Sequence, residues 1–505
     1  MQEKLLILSP EKAKDYEQRY RIVRRSLDAR QRQIKVNLTV LTDDQGQPIA
    51  KDAPIPLYTP PVYPTLSDDA PEVVVIGAGP GGLFAALTLL EHGIRPIVYE
   101  RGKEVGERKR DIALLNRGEG LNEESNYCFG EGGAGTFSDG KLFSRSKKRG
   151  DMQRVMEIFH HFGAPDTVLY EAHAHIGSDR LPDIIRRMCD TIREKGGEIH
   201  YESRVDSLRA VRERGGKTLP CILAIGHSAH DTYRMLAKEG VKLEPKGYAL
   251  GVRVEHPQSL INRLMYHAAS QKTVELLGNA SYNLVTQVDG RGVYSFCMCP
   301  GGHIVPAGST ADACVVNGMS ASHRRSPYAN SGMVVEVPVE KDVDALTWLE
   351  RLEDYEGLAA KHGGKGNQAP AQRLKDFVEG RESLDLPTTS YLPGIVNSRL
   401  DEWLPKEIGK RLQEGLRVFE KKYPGYLTND AILVGVESRS SSPIRISRDQ
   451  ETMESISTPG LYPVGEGAGY AGGITSSALD GINAAKKIAE RYETRKRYEN
   501  ENENN

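Results

Sequence analysis

The chain has 505 residues, 27% of them charged, and a formal net charge of −2 at pH 7. Near-neutrality argues against a surface organised around a polyanion, and the length excludes one small core, so two or three domains are expected. Glycine is abundant at 51 residues while aromatics make up only 7%, a bias toward tight turns or backbone lying against a ligand.

Cysteines at 128, 189, 221, 297, 299 and 314 show neither a disulfide-framework rhythm nor a CxxC pair, which fits a reducing compartment. The opening MQEKLLILSPEKAKD turns polar without the apolar core of a secretion signal. No apolar run approaches the roughly 18–20 residues of a spanning helix. A soluble cytoplasmic protein that does not engage a membrane is expected.

Residues 1–44 read as a small α/β unit: KLLIL as a strand, KDYEQRYRIVRRSLDARQRQ as one charged helix, and IKVNLTVLT as an alternating strand. Seven prolines between Pro48 and Pro71 make 45–71 a semi-extended linker. VVVI at 73–76, a run suited to a strand buried on both faces, leads through GAGPGG into LFAALTLLEHG and then IRPIVYE, a βαβ unit. LPDIIRRMCDTIREKGG is an amphipathic helix, and EIHYESRV and CILAIG are strands. Mixed strands and loops follow to about 430. AILVGV, GLYPVG and SALDGINAAKKIAERY then restore buried-strand and helix signals, before a low-complexity tail, RKRYENENENN.

Within the βαβ unit, Gly77, Gly79 and Gly82 form GxGxxG with Pro80 and Gly81 between them, and Glu100 ends the next strand 23 positions after Gly77. This is the context of a dinucleotide fingerprint. Gly77 makes the turn, Gly79 admits the pyrophosphate, Gly82 lets helix and strand pack, and the helix N-terminus faces the phosphates. Glu100, with Arg101 beside it, is placed at the adenosine ribose; an acidic residue there suits FAD or NAD and disfavours a 2′-phosphate.

GTFSDGKL at 135–142 has much of a P-loop's spacing. Leu142 stands where a magnesium-binding Ser or Thr belongs, and EESNYCF upstream is no buried strand, so that reading fails. Gly132, Gly133, Ala134, Gly135 and Thr136 read better as a loop over the pyrophosphate or flavin, with Thr136 or Ser138 donating hydrogen bonds. Lys141 would offset phosphate charge, bind an anionic substrate, or simply lie in solvent.

TPGLYPVGEGAGYAGGITSSALDGINAA resembles the closing motif of the glutathione-reductase-like FAD superfamily. That resemblance places Gly465 and Glu466 at the ribityl and phosphate region, and Gly472, Gly473 and Ile474 at a helix start aimed at the isoalloxazine. Glu466 replaces the commoner Asp. LAIG, ending at Gly226, resembles the superfamily's ATG strand, and Val205 falls where its backbone meets adenine. FAD, rather than NAD, is therefore the expected resident cofactor.

NYCFGEGGAGTFSDGKL, LAIGHSAHDT, GVYSFCMCPGGHIVPA, NGMS, NQAPAQRLKDF, SSSPIRI and GLYPVGEGAGYAGGI together resemble a largely uncharacterised family called NAD(FAD)-utilising dehydrogenases. The resemblance covers essentially the whole chain. It implies an FAD domain interrupted by a second domain. The expected fold is α/β: a Rossmann-like FAD-binding domain from 72–235 and 430–492, an inserted α+β substrate domain at 236–429, the small N-terminal α/β domain, and, from its low complexity, a disordered tail at 493–505. The resemblance supplies no substrate.

Around the flavin, His227 is a proton donor, a substrate contact or a structural histidine. Arg439 and Arg445 bind a carboxylate or phosphate, or form structural salt bridges. Cys297 and Cys299 on an extended strand would lie about 6–7 Å apart on one face, which favours structural thiols over a disulfide. His173 and His175 lack further ligands, so no metal site is assigned. No second fingerprint follows a strand, so NAD(P)H, if it is the reductant, visits transiently. The leading function is an FAD-dependent oxidoreductase passing hydride between a small, anionic substrate and the flavin. A flavin monooxygenase, a nucleic-acid-linked flavoprotein using RRSLDAR as a basic helix face, and a non-catalytic flavin-binding protein are the alternatives. The oligomeric state is left open.

Overall fold

The computed structural model describes residues 1–143, 150–268 and 270–503. Three sheets organise them. The N-terminal sheet is antiparallel, with Lys35–Thr42 between Gln2–Leu8 and Ile22–Asp28. Alternation along KVNLTVLT buries Val36, Leu38 and Val40 against Ala13 of the helix Pro10–Arg19, the period-2 pattern of a half-buried strand. The expected long charged helix is therefore wrong in its second half. It stops at Arg19, and most of RRSLDAR lies on the strand Ile22–Asp28, paired with Lys35–Val40. Without a helix carrying RRSLDAR, the basic helix face suggested for nucleic acid does not exist.

A five-stranded parallel sheet follows, in the order Leu461–Pro463, Cys221–Leu223, Glu72–Ile76, Arg95–Tyr99, Glu198–His200. The helix Pro80–Glu91 begins with Pro80 at its first turn, where proline's missing N–H costs nothing. Gly81 through Leu90 are all buried, so this helix is enclosed by protein on every side. The final helix, Ile474–Glu503, crosses it so tightly that a Cβ on Gly481 would sit 2.0 Å from the Gly81 carbonyl oxygen. That helix also corrects the expected disordered tail. Backbone helix continues to Glu503, in keeping with the helix-favouring Glu, Lys and Arg that fill this stretch; residues 504–505 lie outside the described residues.

The third sheet has seven strands: Val285–Val288, Arg291–Cys299, Tyr328–Val337, Tyr248–Pro257, Ile432–Glu437, Ala369–Arg373 and Ile395–Asn397, in that order. All pairs are antiparallel except the last. Helices Ala345–His362 and Lys406–Lys422 bury their apolar stripes in the core of this sheet, Trp348, Leu352, Leu412 and Phe419 among them. AILVGV thus belongs to this mixed sheet, and not to the Rossmann-like one as the 430–492 boundary required. A run buried at every position serves a central strand of either sheet equally well. The chain rejoins the parallel sheet only at Leu461.

Candidate functional site

A cleft of about 430 Å³ runs across the carboxyl ends of the parallel strands and up to the edge of the mixed sheet, a volume within the usual range for ligand sites. Sequence stretches hundreds of residues apart meet in it: Gly77, Gly79, Pro80 and Gly81; Glu100 and Arg101; Gly133, Ala134 and Gly135; Val205; Gly226 and His227; Arg439; and Gly465, Glu466, Gly472, Gly473 and Ile474.

The fingerprint glycines divide into two kinds. Gly77 has φ +100, and a Cβ there would stand 2.4 Å from the Ala224 carbonyl oxygen; a Cβ on Gly82 would stand 1.9 Å from the Gly77 oxygen. Both are required by packing. Gly82 does not line the cleft; it closes helix onto loop. Gly79 has ordinary φ −78, and its added Cβ would meet nothing nearer than Gly133 Cα at 3.8 Å. Its smallness serves the open space above it, a cradle suited to a pyrophosphate at a helix N-terminus.

The second glycine loop is braced from beneath. Arg108, fully buried, donates to the carbonyls of Asn126, Tyr127, Gly130 and Glu131, and burial pushes its pKa down to about 10. Glu100 accepts from the backbone N–H of Ala78, Gly102 and Gly130, each at 2.9 Å. It therefore ties three loops together at the end of the cleft expected to hold ribose. Arg101 spends its guanidinium on Glu124 and Asp231 and stacks over Phe129. Two predicted contacts move off the cleft. Thr136 is buried with its hydroxyl donated to the Glu131 carbonyl at 2.9 Å, and Gly132 (φ +81) has Thr136 where a Cβ would go. Ser138 lines the cleft but donates to the Gly135 carbonyl.

At the closing motif, Gly465 N–H donates to Asp480, itself paired with Arg448. Glu466 accepts from the Gly473 N–H with one oxygen and faces His227 Nε2 at 3.5 Å with the other. Its extra methylene relative to Asp lets one carboxylate reach across its own loop. Burial lowers the His227 pKa against the pull of Glu466, which keeps the imidazole neutral near pH 7.

Arg439 is buried and holds Glu356 with two nitrogens at 3.1 and 3.0 Å, leaving Nη1 toward Cys128 Sγ at 3.5 Å. Its fork is thus spent on a salt bridge. Arg445 is exposed and lies 5.5 Å over the Tyr470 ring. Lys141 is not a solvated lysine: its Nζ lies 3.1 Å from Asp139 and within 3.5 Å of Cys299 Sγ and 3.9 Å of Cys297 Sγ. Cys297, considered above among the residues around the flavin, lines the cleft with Phe296 and Asn317, which were not foreseen there. Phe296 and Cys297 come from the mixed sheet, and Asn317 from Val316–Met319, which pairs with His303–Pro306 in a two-stranded sheet.

These features define a class: an FAD-binding α/β protein with a Rossmann-like parallel sheet, a separate mixed-sheet domain and a small N-terminal sheet. The described families agree. "FAD binding domain" matches residues 70–136, "FAD-dependent protein, C-terminal domain-like" matches 247–440, and a domain of unknown function matches 4–42. FAD is the cofactor. An uncharacterized protein of Clostridium beijerinckii is 43% identical over 435 residues, 83% of this chain and 81% of that one. The chain belongs to the same family of FAD-dependent proteins. Among solved structures, CtdE in complex with FAD matches at 11% identity and TM-score 0.31, over 83% of this chain and 84% of that one. A geranylgeranyl bacteriochlorophyll reductase-like protein from Thermoplasma acidophilum matches at 12% and 0.32, over 84% and 79%. Among the described residues, no helix is long and apolar enough to cross a membrane.

Proposed function

We propose that the protein is an oxidoreductase in which a small anionic substrate meets bound FAD at the Lys141–His227 end of the cleft, with NAD(P)H as a transient donor. One observation carries this reading. The cleft lined by Gly472–Ile474 is also lined by His227, Lys141, Cys297 and Arg439. Bound FAD supplies hydride transfer there; the chain supplies the rest.

The fingerprint helix, through Gly79 and Gly81, and the Gly133–Gly135 turn would hold the pyrophosphate. Gly472, Gly473 and Ile474, at the start of the Ile474–Glu503 helix, would hold the flavin end of the cofactor. Lys141, though paired with Asp139, is the cleft cation offered to an anionic substrate, while Arg439 keeps its fork on Glu356. His227 moves the proton that accompanies hydride transfer: its Nε2 faces Glu466, whose carboxylate stabilises the imidazolium while it exists. The catalytic assignment is therefore His227 for the proton, Lys141 for the substrate charge, and Arg439 as a positioning residue through Glu356.

An anaerobic visible spectrum, recorded while NADH and then NADPH are added, tests the donor. Bleaching of the flavin band by either nucleotide is expected. A flavin that neither bleaches contradicts the NAD(P)H-linked reaction. In a second titration, His227→Gln should retain flavin yet slow its reduction or reoxidation about 100-fold.

A further inference from the structure

We propose that Cys297 and Cys299 form a redox-active dithiol at the cleft wall, which closes to a disulfide by exchange with a low-molecular-mass disulfide. The proposal does not depend on the hydride donor assigned above, but it shares Lys141 with the substrate site proposed there.

The regular-strand spacing that argues against such a pair is absent. Cys297 has φ +46, and the pairing with Tyr328–Val337 shifts register between Phe296 and Cys299. The strand is bulged at this point, so the alternation and rise of an extended strand no longer separate the two thiols. Both sulfurs instead contact one ammonium, Lys141 Nζ, at 3.9 and 3.5 Å. The two differ in access: Cys297 is partly exposed and lines the cleft, whereas Cys299 is buried behind it.

The surrounding charges favour an anionic sulfur at Cys297. Fully buried Arg253 lies beneath it, donating toward the Cys297 carbonyl at 3.4 Å while paired with Glu437 at 2.7 Å. Lys141 is held in place by Asp139, which Arg324 and Ser320 also bind. The Cys297 thiol is pushed well below its usual range, first by the hydrogen bond from Cys299 and then, against burial, by Lys141 and Arg253; Cys299 is pushed up. Cys299 Sγ donates to the Cys297 carbonyl at 3.4 Å, and a cleft-facing thiolate backed by a buried thiol two residues on is the arrangement of an attacking and a resolving cysteine.

The chemistry balances. Cys297 Sγ⁻ attacks one sulfur of R–S–S–R; the substrate S–S bond breaks, a mixed disulfide forms, and RS⁻ leaves to take a proton from water. Cys299 then releases its proton and attacks Cys297 Sγ. The mixed bond breaks, the Cys297–Cys299 bond forms, and the second RS⁻ leaves with that proton. The substrate gains two electrons, the cysteine pair loses two, and a dithiol reductant reverses the change.

The flavin-loaded protein, reduced and then treated with 2-hydroxyethyl disulfide, tests this directly. Remaining thiols are blocked with N-ethylmaleimide, and the digested protein is mapped by mass spectrometry while flavin absorbance monitors the fold. The expected result is an unlabelled 297–299 peptide two hydrogens lighter than the dithiol form, with Cys128, Cys189, Cys221 and Cys314 fully labelled. Cys299→Ser should trap hydroxyethyl disulfide on Cys297, and Lys141→Met should slow that trapping about 10-fold near pH 7. Full labelling of both cysteines, modification of Cys128 as fast as Cys297, or oxidation confined to protein that has lost its flavin would overturn the dithiol. Normal bleaching by NAD(P)H in the same preparation would then leave the oxidoreductase reading standing.

Discussion

At the scale of single residues, the fingerprint makes two separable demands. Gly82 is needed because the Gly77 carbonyl occupies the space a side chain would take, whereas Gly79 is needed by the ligand above it. Gly82→Ala should therefore destabilise the apoprotein by about 3 kcal/mol, as overpacking against backbone does, measured by denaturant unfolding. Gly79→Val should leave apoprotein stability within about 1 kcal/mol of wild type and weaken FAD binding at least ~100-fold, followed by flavin fluorescence. The spacing of these glycines is visible in the sequence because turn, helix start and strand are all local. Lys141 and the two thiols are different. Their contact joins positions more than 150 residues apart, and the bulge that turns Cys297 toward the cleft leaves no periodic signature. Thr136 misled for a related reason: a hydroxyl in a glycine loop serves a ligand or the loop itself, and sequence does not say which.

At the scale of elements, the site depends on two helices whose N-termini must stay side by side. They cross at Gly81 and Gly481, so Gly481→Ala forces them apart. Destabilisation of about 1–3 kcal/mol is expected, with a matching loss of FAD affinity because both helix starts move; thermal unfolding with and without FAD reads both effects. The mixed sheet carries a pH dependence of its own. His256, fully buried on the central strand Tyr248–Pro257, bonds the Tyr426 carbonyl through Nε2, and burial pushes its pKa down to about 4. The unfolded chain therefore binds this proton at higher pH than the folded one does. Stability from this group is present above pH ~6.5 and is lost as pH falls toward 4, by up to about 3 kcal/mol. Comparing unfolding at pH 7 and pH 4.5 should show a smaller difference in His256→Gln than in wild type. Element types were legible wherever periodicity was clear, as in KVNLTVLT and LPDIIRRMCDTIRE. The wholly buried AILVGV carried no mark of which sheet would claim it, and RRSLDAR gave up a charged-helix pattern to pairing with Lys35–Val40 that only the tertiary fold supplies.

At the scale of the whole molecule, the cleft is assembled from six stretches of the parallel-sheet domain and closed by residues of the mixed sheet. FAD seated there binds the folded protein and not the unfolded chain. At free FAD 100 times its dissociation constant it should add about 2.7 kcal/mol, seen as a concentration-dependent rise in melting temperature. Limited proteolysis in the 126–143 loops should slow in parallel, because Gly133–Gly135 meets the ligand. The account's central claim is that this one cleft, spanning the fingerprint, the 133–135 turn and the 465–474 motif, is the seat of FAD. The most direct measurement is the FAD-to-protein ratio of the purified chain after saturation with FAD and gel filtration, beside that of Gly79→Val. The account predicts about one FAD per wild-type chain, and almost none on a Gly79→Val protein that still unfolds cooperatively. Wild type without flavin, or flavin retained in full by folded Gly79→Val, would contradict it.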